Sequence, residues 1–247
     1  MKKVVNLSLT PQGFIPTFHQ DIRACIVDLD GTLIDTLGDF EVALNSMLAE
    51  LKRPPVSAAD IGRWVGKGSE HLIKTVLESS TSGANILDSA AVEELMPAAW
   101  RHYQASYLRI NGQHSTVFPG AQEGLAALKA RGYPLACLTN KPRDFAIPLL
   151  EAKGLSGYFS YVFGGDSFAR KKPDPLPLIE TCKALAVAPH QTLMIGDSAN
   201  DAQAARAAGC PVVLTTYGYN HGEPIQAVDA DGFVNSLADI VAWLDAK

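Results

Sequence analysis

The chain has 247 residues, of which 47% are hydrophobic and 19% are charged, so it can bury a core and wholesale disorder is excluded. It carries 21 Lys and Arg against 26 Asp and Glu, and the formal net charge of −5 gives no general attraction to nucleic acid or to an anionic membrane. An anionic ligand would therefore need a local device that overcomes the overall charge.

The N-terminal residues 1–20 show no clear period and are expected to form an extension without chemistry. Their hydrophobic stretch is too short and too polar for a secretory signal, and no run in the chain approaches the ~20 residues that cross a bilayer. We expect a cytoplasmic protein whose cysteines are free, buried thiols, since none of them forms a C-x-x-C pair. They are Cys25, Cys137, Cys182 and Cys210.

Alternating strand and helix patterns run through most of the chain. The predicted strands are continuously hydrophobic, which is typical of a parallel sheet covered on both faces. They lie at 22–29, 133–138, 161–163, 192–195, 211–215 and 232–234. Helical patterns follow at 121–131, 145–153, 176–186, 200–208 and 237–245. This alternation predicts an α/β fold with a doubly wound, Rossmann-like parallel sheet.

A stretch between the first two strands contains only helical patterns. Predicted helices lie at 40–51, 58–65, 69–77 and 91–108, with no strand among them. We interpret residues 38–112 as an inserted all-helical cap domain, with hinges at Gly38 and at Asn111 and Gly112. Residues 21–37 and 113–247 would then form the α/β core domain.

Polar residues follow four of the predicted strands, at the point where each strand ends. They are Asp28 and Asp30 after the first strand, Thr139 and Asn140 after the second, Lys172 in the loop after the third, and Gly196, Asp197, Ser198 and Asp201 after the fourth. Ligands of an open α/β sheet bind beyond the carboxyl ends of its strands. These residues are therefore expected to converge on one site.

The residue types at these strand ends favour phosphoryl chemistry. Asp28 and Asp30 point the same way along a strand, and two close carboxylates require a cation or a shared proton. Asp197 adds a third carboxylate, and an all-oxygen ligand set that must also hold phosphate suits Mg²⁺. Lys172 supplies a positive charge and Thr139 a hydroxyl donor. A carboxylate nucleophile in such a site would form a phospho-aspartate.

These four motifs, in this order, resemble those of the haloacid dehalogenase-like hydrolases. The resemblance runs from about residue 22 to the C-terminus and includes the inserted helical cap. It implies that Asp28 is the nucleophile and that Asp30 is the general acid and then the base. The metal ligands it implies are the side chains of Asp28 and Asp197 and the backbone carbonyl of Asp30. Asp201 would either orient Lys172 or support the water shell of the metal.

The same resemblance gives the remaining polar residues their expected roles. Thr139 and Lys172 would hold the phosphoryl oxygens, together with backbone N–H groups near Asn140. Gly196 and Ser198 would support the site, although Ser198 could equally cap the following helix.

A finer resemblance is to the phosphoglycolate phosphatase group of that family, carried by residues 64–68 in the cap and 216–220 after the fifth strand. It implies hydrolysis of a small phosphorylated metabolite, 2-phosphoglycolate, by a monomer or homodimer. A phosphosugar mutase related to β-phosphoglucomutase, and a phosphatase for another small phosphoester, remain as alternatives. Arg63, Lys67 and Lys74 could each meet a substrate carboxylate or could each be a solvated surface charge.

Overall fold

The computed structural model describes residues 21–79 and 88–245. The predicted extension at 1–20 lies outside the described residues. The strands are β1 (Ala24–Val27), β2 (Ile34–Asp35), β3 (Thr116–Val117), β4 (Leu135–Leu138), β5 (Tyr161–Phe163), β6 (Thr192–Gly196), β7 (Val212–Thr215) and β8 (Gly232–Val234). The helices are α1 (Leu37–Glu50), α2 (Ala58–Trp64), α3 (Ser69–Ser79), α4 (Ser89–Ile110), α5 (Ala121–Ala130), α6 (Arg143–Ala152), α7 (Leu176–Leu185), α8 (Ala199–Ala208) and α9 (Leu237–Asp245).

Six of the strands form one parallel sheet in the order β5-β4-β1-β6-β7-β8. Helices cover both of its faces, which explains why β1 is hydrophobic at every position. Cys25 and Val27 pack on the side of α5, α6 and α9, whereas Ala24 and Ile26 pack on the side of α7 and α8. The predicted doubly wound α/β fold is confirmed, and the sequence of β1 follows from burial on both faces.

Helices α1 to α4 pack around a hydrophobic cluster of their own, and the described residues between 37 and 110 contain no strand. The rings of Phe40, Tyr103 and Tyr107 lie in this cluster, with 5.4 Å between the centroids of the two tyrosines. Phe145 of α6 enters the same cluster, with its centroid 4.9 Å from that of Tyr107. The helical segment therefore rests on the sheet domain through an aromatic contact.

The chain enters this helical segment through β2 and leaves it through β3, and the sequence pattern did not predict either of these two crossings. Strands β2 and β3 form a two-stranded antiparallel ribbon. The fully buried Asp39 carboxylate accepts backbone N–H groups of Gly112 and His114, at 2.8 and 2.7 Å. A Cβ at Gly38 would lie 2.2 Å from the backbone oxygen of His114, so only glycine fits there. Gly38 and Gly112, the predicted hinge positions, are thus tied to each other.

Two further expectations concern the whole chain. All four cysteines are free and buried, as predicted. None of the helices in the described part is long and apolar enough to span a membrane.

Candidate active site

The carboxyl ends of β1, β4 and β6 meet at one edge of the sheet because these strands are parallel neighbours. Asp28 follows β1, Thr139 follows β4 and Asp197 follows β6, and all three are buried. Carboxylate oxygens of Asp28, Asp197 and Asp201 lie within 4.8 Å of one another. The structure therefore brings the predicted carboxylates of the first and fourth motifs together.

Lys172 is the cation at the centre of this cluster. Its Nζ lies 2.7 Å from Asp201 Oδ1 and 3.0 Å from Asp28 Oδ1, and it donates to the backbone oxygen of Leu138 at 2.8 Å. The neighbouring Lys171 is exposed, so of these two adjacent lysines the structure buries the one that was predicted for the site. Burial alone lowers the pKa of Lys172, but Asp201 and Asp28 outweigh it and the pKa is raised. Lys172 thus carries a fixed positive charge beside Asp28.

Asp201 positions its neighbours through both of its carboxylate oxygens. Oδ1 accepts from Lys172, and Oδ2 accepts from the backbone N–H groups of Asp197 and Ser198 and from the Ser198 hydroxyl. Ser198 and Asp201 form a capping box at the start of α8. A Cβ at Gly196 would lie 2.4 Å from the Asp201 carboxyl carbon. Of the two roles predicted for Asp201, these contacts favour the orientation of Lys172.

Asp197 is held by residues of the loops after β1 and β7. Its Oδ1 accepts from the Thr32 hydroxyl at 2.9 Å, and its Oδ2 accepts from the backbone N–H of Tyr219 at 2.6 Å. The Tyr219 hydroxyl donates to Asp35 and accepts from the backbone N–H of Thr36. Tyr219, which lies in the segment 216–220 of the predicted resemblance, therefore joins the carboxylate cluster to β2 and the start of α1.

The electrostatics of the cluster favour either a bound proton or a bound cation. Burial raises the pKa of Asp28 to about 7, although Lys172 opposes this shift. Burial, reinforced by repulsion from Asp201 and Asp28, raises the pKa of Asp197 well above its ordinary value. Three buried carboxylates and one lysine leave an excess of negative charge, which a hard divalent cation with oxygen ligands would balance. The donor set therefore fits Mg²⁺.

Asp30 lies beside a buried lysine that was absent from the predicted site. Nζ of Lys141 is 2.9 and 3.2 Å from the two carboxylate oxygens of Asp30. The same Nζ lies 4.4 Å from the ring centroid of Phe40 and 4.6 Å from that of Tyr107. The available signal in the sequence was its place directly after Thr139 and Asn140, at the end of a strand.

Asn140 connects the second motif to the helical segment. Its Nδ2 donates to the backbone oxygens of Lys172 and Gly66, at 2.8 and 3.0 Å, and its Oδ1 accepts from the backbone N–H of Lys172. Its side chain is thus committed to structure, and only its backbone remains for phosphate. Asn200, which sequence reasoning missed, also donates to the Gly66 oxygen. The loop at 64–68, which contains Gly66 and Gly68, therefore lies over the strand ends.

A cavity opens between this loop and the strand ends. The cavity is small, with about 370 Å³ of empty space when the open solvent at its mouth is counted. Residues of the strand ends line one side, namely Asp28, Asp30, Thr139, Asn140 and Lys141. Residues of the helical segment line the other side, namely Phe40, Val65, Gly66, Gly68, Ser69 and Leu72. The cavity has reactive polar groups on the sheet side and mainly apolar groups on the helical side.

Comparisons with known proteins agree with this geometry. A family model described as haloacid dehalogenase-like hydrolase matches residues 22–209. The chain is 44% identical over 223 residues to the phosphoglycolate phosphatase of Thiobacillus denitrificans, which covers 90% of this chain and 96% of that protein. It is also 44% identical over 220 residues to the phosphoglycolate phosphatase of Nitrosospira multiformis, with 89% and 94% covered. The crystal structure of a predicted phosphoglycolate phosphatase from Haemophilus somnus 129pt superposes with a TM-score of 0.84 at 34% identity, covering 91% of this chain and 99% of that one. The matched residues include every strand end that contributes to the site.

Proposed function

The chain belongs to the haloacid dehalogenase-like hydrolase family, and on that premise we propose that it hydrolyses 2-phosphoglycolate to glycolate and phosphate with Mg²⁺ as cofactor. The observation that carries the proposal is the convergence of Asp28, Asp197 and Lys172 at one sheet edge, beneath a cavity closed by the helical segment. The substrate follows from the names of the relatives and from the small size of the cavity.

The contacts of Asp28 indicate which of its oxygens attacks phosphorus. Oδ1 accepts from the backbone N–H of Leu29 at 2.7 Å and lies 3.0 Å from Lys172 Nζ. Oδ2 has no hydrogen-bond partner within residues 21–79 and 88–245, so it is the free nucleophile. Its attack forms a phospho-aspartate and breaks the bond from phosphorus to the ester oxygen. Lys172 and Thr139 hold the phosphoryl oxygens as charge redistributes.

Asp30 is the general acid of the first half-reaction and the general base of the second. It first donates a proton to the leaving alkoxide and then accepts one from the water that hydrolyses the phospho-aspartate. The products are glycolate, inorganic phosphate and the regenerated Asp28 carboxylate. Water enters only in the second half-reaction, which is where a mutase would instead return the phosphoryl group to a sugar.

The metal would be held by Asp28 and Asp197 through their side chains and by Asp30 through its backbone carbonyl. When bound, Mg²⁺ would supply positive charge to the phosphoryl oxygens and lower the repulsion among the carboxylates. Asp201 is not assigned as a direct ligand in this proposal because its Oδ1 is paired with the Lys172 ammonium group and its Oδ2 already accepts from three donors, whereas each oxygen of Asp197 accepts only one hydrogen bond. The helical segment 38–112 would serve as the cap that excludes water from the cavity.

Phosphate release from a panel of small phosphomonoesters, with and without Mg²⁺, tests the proposal. We expect 2-phosphoglycolate to exceed the sugar phosphates and turnover to stop when the metal is chelated. Asp28→Asn should abolish activity, and Asp30→Asn should lower it by about 10²–10⁴-fold. Asp144→Asn, which alters an exposed carboxylate of α6, is the control and should retain full activity. Isomerisation of a hexose 1-phosphate without phosphate release would contradict hydrolysis and support the mutase.

A further inference from the structure

Lys141 is a buried cation whose place in the reaction is not explained by the four motifs. It is 3% exposed, and Asp30 is its ion-pair partner. An ammonium group presents three N–H donors. Asp30 is the only hydrogen-bond acceptor of Nζ within the described ranges 21–79 and 88–245. The ring faces of Phe40 and Tyr107 stabilise the charge without accepting a conventional hydrogen bond. One donor of a buried lysine that lines the cavity is therefore available to a ligand.

Lys141 lies beside the group that contacts the leaving oxygen. Since Asp30 protonates the ester oxygen of the substrate, that oxygen must come within hydrogen-bonding distance of the Asp30 carboxylate. In 2-phosphoglycolate the carboxylate carbon is only two bonds from this oxygen. Nζ of Lys141 lies 2.9 and 3.2 Å from the Asp30 oxygens, on the side of the helical segment. A carboxylate attached so close to the ester oxygen falls within reach of Lys141.

The other cations near the cavity are less suitable. Lys172 is committed to Asp28, Asp201 and the Leu138 carbonyl at the phosphoryl end. The cap cations that the sequence raised as candidates do not line the cavity. Arg63 pairs with Asp60 and Lys74 pairs with Glu93, both at exposed positions, and Lys67 is exposed.

We propose that Lys141 binds the carboxylate of the substrate and thereby selects phosphomonoesters that carry an anionic group two bonds from the ester oxygen. The proposal rests on the proposed function, since it deepens the account of the same site. Together, the two buried lysines place one cation at each end of the substrate, with Lys172 at the phosphoryl end and Lys141 at the carboxylate end. Phe40 and Tyr107 hold its ammonium group from the helical segment, so selection for the carboxylate depends on contact between the two parts of the molecule.

The test compares two substrates that differ in the carboxylate, 2-phosphoglycolate and ethyl phosphate, by kcat/KM in the Mg²⁺-loaded enzyme. The measured quantity is the ratio of the two kcat/KM values, because any displacement of Asp30 affects both substrates alike. Lys141→Met keeps an unbranched apolar side chain between the rings and removes the charge. We expect it to lower the ratio by roughly 10- to 100-fold, the range of a charge-assisted hydrogen bond. Lys141→Arg retains the charge and should keep most of the ratio.

Lys67→Met is the matched control, since it removes an exposed lysine from the loop over the cavity, and it should leave the ratio unchanged. An equal loss on both substrates in Lys141→Met would overturn the proposal and restrict Lys141 to positioning Asp30. A collapse of the ratio in Lys67→Met instead would assign the carboxylate to the cap loop. If Lys141→Met does not fold, Lys141→Arg carries the test, and a ratio near one in that variant, which means no preference for 2-phosphoglycolate over ethyl phosphate, would count against the assignment. A wild-type enzyme without preference for 2-phosphoglycolate would refute the proposed substrate, which is a separate result from any change in the variants.

Discussion

The ion pair of Lys172 and Asp201 gives the sharpest test of how the site is held together. Its atoms are 2.7 Å apart, and Asp201 is fully buried. At an effective dielectric constant of about 20, two unit charges at this distance attract by about 6 kcal/mol before the cost of desolvation is subtracted. Removing one partner from such a pair costs about 3–5 kcal/mol, because the remaining charge stays buried and uncompensated. The pair should therefore dominate the stability of this edge of the sheet.

We expect Lys172→Met to lower the free energy of unfolding by about 3–5 kcal/mol, and Asp201→Asn to lower it by a smaller amount, because Lys172 then keeps Asp28 at 3.0 Å. The double variant should fall short of the sum by at least about 2 kcal/mol, because neither charge is then left alone. Urea denaturation of the four proteins near neutral pH, with chelator present, completes this double-mutant cycle. Lys183→Met, which breaks an exposed pair with Glu180, is the control and should change stability by less than about 0.5 kcal/mol.

Activity separates the two roles of Lys172. Phosphate release should be lost in Lys172→Met and stay lost in the double variant, even though the double variant regains stability, because no lysine then holds the phosphoryl oxygens. Additive losses of stability would refute the reasoning, since they would show that Lys172 and Asp201 do not compensate each other. Recovery of activity in the double variant would refute the catalytic part alone.

Two further predictions concern the crossings and the metal. Asp39→Ala should lower the free energy of unfolding by about 2–5 kcal/mol, because the backbone N–H groups of Gly112 and His114 lose their charged acceptor. Urea denaturation that gives the same free energy of unfolding as the wild type would contradict this. Burial raises the pKa of Asp28 to about 7 and that of Asp197 well above its ordinary value. Both groups therefore bind protons more tightly in the folded state, so their contribution to stability is complete below the unfolded-state pKa and is lost as pH rises through the folded-state pKa. A bound divalent cation reverses that loss, so Mg²⁺ should raise Tm more at about pH 8 than at about pH 6, and an equal shift at both values would count against the metal site.

The fold was predictable because a strand that is buried on both faces of the sheet has a recognisable, continuously hydrophobic sequence. Strand β1 must present apolar residues to two helical layers, so its run is continuous and ends abruptly at Asp28. The same abrupt change marks Thr139 after β4 and Asp197 after β6. Parallel pairing then converts three separate strand ends into one site, which is why the residues could be grouped before their distances were known.

The crossings were not predictable because β2 and β3 contain two residues each, which is too short for any alternation to show. Their pairing depends on Asp39, whose carboxylate bridges residues that are more than seventy positions away. A buried aspartate in the first turn of α1 looks, in sequence, like an ordinary N-terminal carboxylate.

The burial of Lys141 at the site could not be predicted from the sequence either. A lysine after a strand end resembles any solvated lysine, and its burial is decided by Phe40 and Tyr107, which come from two different helices. For the adjacent Lys171 and Lys172, the site residue was easier to predict, because the motif contains Lys172. The structure buries Lys172.

The two buried lysines help to explain how a protein with a net charge of −5 could bind an anionic substrate. Four carboxylates converge at the site, namely Asp28, Asp30, Asp197 and Asp201, and the two lysines leave it with a net charge of −2 when all six groups are ionised. A divalent cation would bring this local charge to zero. Binding of a phosphate that also carries a carboxylate then depends on where the positive charge lies. In the proposed complex the metal and Lys172 would lie at the phosphoryl end and Lys141 beside the leaving oxygen, so each anionic group of the substrate would meet a cation within an acidic protein.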